Sequence, residues 1–325
     1  MQVPFVNRVA CAACLVLAVG CVKPQPTRMA EVALPDAAVD APAECPPAVG
    51  APGEACRELL GRQEILEGNR LGREGHYKDA LAAFDEAERL VPQLPQLWLN
   101  KGYTCRQMLI PGAKGAGNRA AAKCALDAFR RYQELEPEDP RGEALILQTL
   151  LDTDDHEALA KIYLAKIRRN PRDLGAVNGL IAVYTKANNL DETLKWYGAR
   201  TGLLADDPEA HDAVAVFVLG QLSARGGGPV PAAFDPRPDP KQPRAVKLRP
   251  NPNAGDVIGQ QRVDLADFGI VHLEKALALR PGFREAMTHM SQLYLQKSFA
   301  FFDEPREWQK LVDRAEEWRK KAAAP

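Results

Sequence analysis

Small residues, aromatic residues and prolines recur along this chain at fixed distances, and this recurrence constrains the fold more than any other feature. Small side chains suit the points where two helices touch, glycine suits the turn between helices, and proline ends a helix. The interval from Ala80 to Pro92 is repeated from Ala125 to Pro137. The first unit is carried by Gly68, Leu71, Gly75, Tyr77, Ala80, Phe84, Ala87 and Pro92, and the second by Trp98, Gly102, Ala125, Phe129 and Pro137.

The spacing resembles the tetratricopeptide repeat (TPR), a 34-residue helix–turn–helix unit. A single pair of helices cannot bury its apolar face, so several pairs stack. The resemblance therefore implies an all-α, TPR-like helix–turn–helix solenoid, with a plain α-helical bundle or a related helix-pair solenoid as alternatives. Two more units match well: one covers Val177 to Tyr197, and one runs from Met287 through a charged last helix, Pro305–Lys321. Two units are weak matches: one ends at Pro171, and one combines His211–Leu222 with Asp264–Arg280.

Irregular composition divides the chain. We predict TPR-like repeats over 58–225 and C-terminal repeats with a cap helix over 263–325, separated by a Pro/Gly-rich insertion at 226–262. The insertion mixes prolines with lysines and arginines, which favours either an extended arm that contacts a partner or an acidic polymer, or a disordered loop. A shorter Gly/Ala-rich insertion is predicted from Leu109 to Ala122, inside the second repeat.

The amino-terminal residues have the pattern of a secretion signal. Arg8 precedes an apolar run that is too short to span a bilayer, and the run ends in Ala18-Val19-Gly20-Cys21. This end resembles the lipobox of bacterial lipoproteins, which implies a signal peptide over 1–20 and lipidation of Cys21. An ordinary cleaved signal is the alternative. Val22 follows the cysteine, which by the same resemblance favours the periplasmic face of the outer membrane, and residues 21–57 are predicted to form a Pro/Ala-rich tether.

Four of the seven cysteines remain once the signal and the lipidated residue are set aside. An even number in an oxidising compartment favours two disulfides. We favour the pairs that are close in sequence and bracket irregular chain, with free thiols as the alternative; a metal site lacks the usual C-x-x-C spacing. The predicted disulfide residues are Cys45 with Cys56 and Cys105 with Cys124.

Charge and motifs argue against catalysis and nucleic-acid binding. The formal net charge is −1, which gives no basic character for a nucleic acid to recognise. His156-Glu157 begins like a zinc-binding H-E-x-x-H, but Ala160 stands where the second histidine is needed. We predict no enzyme activity, no catalytic residue, no metal site and no cofactor.

The TPR resemblance implies that the first helix of each pair lines the inner face of the solenoid. Some TPR domains hold a peptide carboxylate there with Lys, Asn, Asn, Lys and Arg. Asn69, Asn100 and Arg141 fall on matching positions, whereas Ile65 and Leu145 replace the first Lys and the last Arg, so the clamp is incomplete. Ordinary solvated helix residues are the alternative. The candidate peptide-groove residues are Arg62, Asn69, Arg73, Asn100, Tyr103, Arg106 and Arg141.

Together these patterns predict an outer-membrane-anchored periplasmic scaffold that binds a protein or peptide partner during the assembly or operation of an envelope machine. One alternative is a structural cell-envelope protein that contacts the cell wall through its basic Pro-rich insertion. Another is an accessory subunit of a periplasmic enzyme. The sequence leaves the partner and the oligomeric state open, because one fold serves many unrelated functions.

Overall fold

The computed structural model describes residues 53–224, 257–301 and 304–324. This part of the chain forms twelve α-helices and no β-strand, which confirms the all-α prediction. The signal peptide, Cys21, Cys45 and most of the Pro-rich insertion lie outside the described residues. The helices are α1 (Glu54–Arg73), α2 (Tyr77–Leu90), α3 (Pro95–Gln107), α4 (Ala116–Leu135), α5 (Pro140–Asp152), α6 (His156–Arg169), α7 (Leu174–Lys186), α8 (Leu190–Leu203), α9 (Pro208–Ala224), α10 (Gly259–Leu279), α11 (Arg284–Ser298) and α12 (Pro305–Ala323).

Consecutive helices pack as pairs. Contacts join α1 to α2, α3 to α4, α7 to α8, α9 to α10 and α11 to α12, and further contacts join neighbouring pairs through α2 and α3, α4 and α5, and α10 and α11. This arrangement of stacked two-helix units is the TPR-like fold that the repeat spacing predicts.

A glycine on the first helix lets an aromatic ring of the second helix approach its backbone. A Cβ placed on Gly68 would lie 2.7 Å from the Phe84 ring, and one on Gly102 would collide with the Phe129 ring. Gly68 and Gly102 are 34 residues apart, the length of one TPR unit. Both rings are fully buried, so the small–large pairing locks each helix pair together.

Three short turns between consecutive helices contain a residue in the left-handed region. The φ angle is 85° at Gly75, 54° at Asp154 and 57° at Asn188. Glycine, asparagine and aspartate tolerate this conformation best, which explains why these residue types occupy the turns. Asp155 then caps α6 by accepting a hydrogen bond from the backbone N–H of Ala158 at 3.0 Å.

The chain divides into two compact units, Met1–Leu159 and Ala160–Pro325, here named unit 1 and unit 2. In unit 1, a core cluster forms around Ile65, Phe84 and Leu97. In unit 2, a larger cluster includes Val214 and Met290 among its fully buried residues. Each unit therefore has an apolar core of its own.

Three helices begin inside segments that the sequence predicts to be irregular. The first, α1, begins at Glu54, inside the predicted tether, and α10 begins at Gly259, before the predicted end of the insertion at residue 262. The segment predicted to be irregular from Leu109 to Ala122 is helical from Ala116 onward, so that prediction was wrong for its second half. Its alanines have the highest intrinsic helix propensity, which outweighs the two glycines at its start.

Candidate functional site

The first helices of unit 1 form one continuous surface. Contacts join α1 to α3, and an ion pair joins α3 to α5. We name the surface that these three helices carry the first-helix surface. All seven candidate groove residues belong to its helices, but the structure gives them different environments.

Asn69 and Asn100 are buried rather than displayed. Their exposed fractions are 3% and 0%. The side-chain carbonyl oxygen of Asn69 has no hydrogen-bond partner among the described residues. These two amides therefore lie in the packed interior of unit 1, and a ligand reaches them only if neighbouring side chains move. Ile65 and Leu145, at the two missing clamp positions, are buried apolar core residues as well.

The two arginines of α1 differ in their surroundings. Arg62 donates hydrogen bonds to Glu58 one turn earlier, with a shortest distance of 3.0 Å, and its side chain is 20% exposed. Arg73 lies in the last turn of α1 and is exposed. A cation in the last turn also interacts favourably with the negative end of the helix dipole, so Arg73 has a structural role besides any contact with a partner.

Tyr103 lies at the centre of the first-helix surface and is half-buried. Its ring meets Phe129 edge-on, with 5.7 Å between the ring centroids and 75° between the planes. Burial raises the pKa of the Tyr103 hydroxyl, while the nearby guanidinium groups of Arg141 and Arg106 act in the opposite direction. The hydroxyl therefore stays protonated at neutral pH and is available as a donor beside two cations.

Arg106 joins α3 to α5. Its Nε and Nη2 atoms both donate to Oδ2 of Asp152, at 3.1 and 2.7 Å, and both side chains are about four-fifths buried, with 19% and 22% exposed. Gln148 donates to the other carboxylate oxygen of Asp152 at 2.9 Å. This carboxylate fixes the orientation of the guanidinium group on the surface.

Arg141 forms a second fixed cation with Asp139 and Tyr132. Asp139 accepts hydrogen bonds from the Arg141 side chain and backbone and from the Tyr132 hydroxyl, the last at 2.5 Å. These bonds, that of the Arg141 side chain first, hold the pKa of Asp139 well below its usual range. Burial, followed by the bond to Asp139, raises the pKa of Tyr132 to about 12. The Arg141 side chain remains 60% exposed, which leaves donors for a ligand.

The loop between α3 and α4 closes one edge of this surface. A disulfide joins Cys105 of α3 to Cys124 of α4, with 5.8 Å between their Cα atoms, as predicted. The side chain of Asn118 accepts from the backbone N–H of Ile110 at 2.7 Å, and the N–H of Gly112 donates to the carbonyl of Asp152 at 3.1 Å. The loop is thereby bonded to the same residue that orients Arg106. Cys56 lies buried in α1, and its predicted partner Cys45 is outside the described residues.

The arrangement favours recognition of a polar, partly anionic group over bond chemistry. Tyr103, Arg106 and Arg141 place a phenol and two guanidinium groups close together on α3 and α5, and such groups bind carboxylates and backbone carbonyls. The sequence singled out these three residues, but it missed Asp139, Tyr132 and Asp152, which orient the two arginines. The only sequence signal for this was the position of Asp139 directly before Pro140, which is typical of a helix N-cap.

Metal-binding clusters and membrane-spanning helices are both absent from the described residues. No three or more histidine, cysteine, aspartate or glutamate side chains within this part of the chain are placed to hold a metal ion. Of the helices that the structure describes, none has a segment long and apolar enough to cross a bilayer.

Comparison with protein-family models and with curated proteins gives no match to this chain. Among solved structures, the crystal structure of MamA protein is 12% identical, with a TM-score of 0.25, over 81% of this chain and 90% of MamA. A structure of a monomeric IFIT1 mutant with Gppp-AAAA is 15% identical, with a TM-score of 0.29, over 79% of this chain and 50% of that one. The TPR-like assignment of this chain rests on its own helix pairs and glycine–aromatic contacts.

Proposed function

We propose that this chain is a protein-binding scaffold that holds a segment of a partner protein on the first-helix surface of unit 1. The observation that carries this proposal is the cluster of Tyr103, Arg106 and Arg141, in which Asp152 and Asp139 orient the two guanidinium groups and the Arg141 side chain is 60% exposed. Arginine and tyrosine are enriched among the residues that dominate binding energy at protein interfaces. Groups that are already oriented lose less conformational entropy when a ligand binds.

The predicted anchor places this scaffold in the cell envelope. In this proposal Cys21 is lipidated and holds the protein on the periplasmic face of the outer membrane, where the partner belongs to an assembly such as a pilus, motility, secretion or outer-membrane assembly machine. The support is the Ala18-Val19-Gly20-Cys21 pattern and the Cys105–Cys124 disulfide, which suits an oxidising compartment.

The binding proposal is tested by affinity purification from solubilised envelopes followed by mass spectrometry. A Tyr103→Ala, Arg106→Ala double variant and an Arg141→Glu variant are expected to lose the same partner that the unchanged protein retains. Arg89→Ala, Arg130→Ala is the matched control, because both arginines are exposed on the second helices α2 and α4 of the same unit. Helical circular dichroism checks that every variant is folded. Retention of the partner by both test variants would show that binding occurs elsewhere.

The anchoring proposal has a separate test. A Cys21→Ala protein is expected to leave the membrane fraction while its helical circular dichroism is unchanged. If this variant still sediments with outer membranes, the lipid anchor is wrong even where the binding proposal stands.

A further inference from the structure

Two buried histidines face each other between α9 and α10 in unit 2. The Nδ1 atoms of His211 and His272 are 3.0 Å apart, and the residues are 2% and 8% exposed. This contact has no part in the proposed binding surface, which belongs to unit 1. Histidine is the side chain whose ordinary titration range lies closest to neutrality, so a buried pair of this kind links helix packing to pH.

The hydrogen bonds fix where the protons are. The Nε2 atom of His211 lies 3.2 Å from the carbonyl oxygen of Ala205, which only accepts, so Nε2 carries the proton and donates. In the neutral ring, Nδ1 of His211 is then the acceptor. His272 then donates to it from its own Nδ1, so each ring of the neutral pair has one tautomer.

No carboxylate of the described residues is bonded to either ring to compensate an added proton. Phe268 packs against the His272 ring, with 4.9 Å between centroids, and within the described residues neither histidine contacts a carboxylate. The neighbouring charged and titratable groups are Asp207, which caps α9; Glu209 of α9, paired with Arg280; Asp212 of α9, paired with His289 of α11; Lys275 of α10; and Tyr197 of α8, which stacks on Phe217 of α9.

An extra proton disrupts this contact in one of two ways. If both Nδ1 atoms carry protons, two donors face each other at 3.0 Å. If His272 changes tautomer to accept from a charged His211, an imidazolium is enclosed between apolar helix faces. Burial, followed by repulsion from His211 and Lys275, lowers the pKa of His272 from 6.5 to about 4.

The pKa of His272 is lower in the folded chain than in the unfolded chain, and this difference decides how the stability of the fold depends on pH. Between these two values the unfolded chain binds the proton and the folded chain does not. The contribution of the pair to the packing of α9 on α10 is therefore fully present above the pKa of His272 in the unfolded chain. It is lost as the pH falls toward the lower pKa of His272 in the folded chain.

We propose that the contact between His211 and His272 is a pH-sensitive switch, which holds α9 against α10 while the Nδ1–Nδ1 hydrogen bond is intact and releases this helix pair when the contact takes up a proton. Both helices contribute buried residues to the unit 2 core, including Val214, Val218 and Leu273.

Hydrogen exchange of the full chain, measured by mass spectrometry across a pH series and corrected for the intrinsic exchange rate, tests the switch. Peptides from α9 and α10 are expected to lose about an order of magnitude in protection between about pH 7 and about pH 5. Peptides from α1 to α4 serve as the internal control and keep their protection. An equal loss in both units would overturn the proposal, since it would show general acid unfolding.

A His211→Gln, His272→Asn variant removes the titration with the least change in hydrogen bonding. Glutamine places a donor near the Nε2 position of His211, and asparagine places one near the Nδ1 position of His272. In this variant the protection of α9 and α10 is expected to be the same at both pH values. His76→Gln is the matched control, because His76 is an exposed histidine in unit 1, and it is expected to retain the acid response.

Two further results would overturn the switch independently of how well the variant folds. The first is an NMR titration of the unchanged protein in which the imidazole Cε1–H signal of His272 titrates at the ordinary value for exposed histidine. The second is protection of α9 and α10 by added zinc at acidic pH, which would show that the pair binds metal. A His272 signal that shows a neutral ring well below that value, with no effect of zinc, supports the switch.

Discussion

Arg106 and Asp152 join two helices, α3 and α5, that are separated by α4 in the sequence. The guanidinium group of Arg106 on α3 donates twice to one carboxylate oxygen of Asp152 on α5, and the backbone carbonyl of the same aspartate accepts from Gly112 in the α3–α4 loop. One residue therefore fixes the orientation of a candidate binding group and the position of the loop beside it. The stability of this surface and its proposed binding function depend on the same contact.

We expect Arg106 and Asp152 to be energetically coupled. In a double-mutant cycle with Arg106→Ala and Asp152→Ala, the interaction should contribute about 1 kcal/mol to the free energy of unfolding, because both side chains are largely screened from water. Chemical denaturation of the four proteins measures it. The exposed pair Lys195–Glu192, one turn apart on α8, is the matched control and should give about 0.3 kcal/mol. Equal coupling in the two cycles would contradict the special role of Arg106 and Asp152.

Gly102 is expected to tolerate no side chain. Gly102→Ala places a methyl group against the buried Phe129 ring and should lower the free energy of unfolding by about 1–3 kcal/mol. Gly198→Ala on α8 is the control, since a Cβ there meets nothing within 4 Å, and it should raise stability by about 0.5–1 kcal/mol through helix propensity alone. Thermal or urea unfolding distinguishes the two. If Gly102→Ala stabilises the protein, the space between Gly102 on α3 and the Phe129 ring on α4 must be larger than the structure shows.

The sequence predicts the helix pairs well because their determinants are local. Gly68 with Phe84 and Gly102 with Phe129 repeat at the TPR interval, and the Gly75 turn marks where one helix gives way to the next. The same reasoning predicted the Cys105–Cys124 pairing from proximity in the chain. Each of these features depends on residues within one repeat or on two adjacent repeats.

The environment of the candidate site depends on residues that are distant in sequence, and this is where prediction from the sequence fell short. Asn69 and Asn100 match the positions of ligand-binding amides, yet both are buried, because exposure is decided by how closely α1 and α3 pack and not by helical register. The partner of Arg106 lies 46 residues away on α5, and no spacing rule for a single helix indicates such a contact. The His211–His272 contact spans 61 residues and was missed for the same reason.

The Cys105–Cys124 disulfide is expected to stabilise unit 1 selectively. The two cysteines are 19 residues apart, and a cross-link that closes a loop of this size contributes about 3 kcal/mol in the chain-entropy description. A Cys105→Ser, Cys124→Ser variant should therefore lose hydrogen-exchange protection in α3 and α4. Peptides from α9 to α11 provide the reference within the same sample. A uniform loss across both units, or none, would contradict a local role.

The same cross-link predicts the thiol content of the protein. The native, unreduced protein should show no reaction of Cys105 or Cys124 with a thiol reagent, and reaction of both after reduction. Labelling of either residue without reduction, located by peptide mass spectrometry, would show that the disulfide does not form.

Tyr132 is expected to titrate far above an ordinary tyrosine. Its hydroxyl donates to Asp139 and accepts from Nη2 of Arg141 at 2.9 Å, and burial together with the Asp139 bond raises its pKa to about 12. Because the folded chain holds this proton more tightly than the unfolded chain, the stabilisation from Tyr132 is fully present below the unfolded value of 10.0 and is lost as the pH rises toward the folded value. NMR of protein labelled with carbon-13 at tyrosine Cζ follows this titration directly.

Asp139→Asn keeps a residue that caps α5 well but removes the negative charge, so it should lower the pKa of Tyr132 toward the ordinary value without returning it fully, since burial remains. Asp127→Asn, which removes an exposed carboxylate from α4, is the control and should leave the Tyr132 signal unchanged. If Asp139→Asn has no effect on the titration, the hydrogen bond between Tyr132 and Asp139 does not exist in solution, and the orientation of Arg141 on the first-helix surface must then come from Asp139 alone.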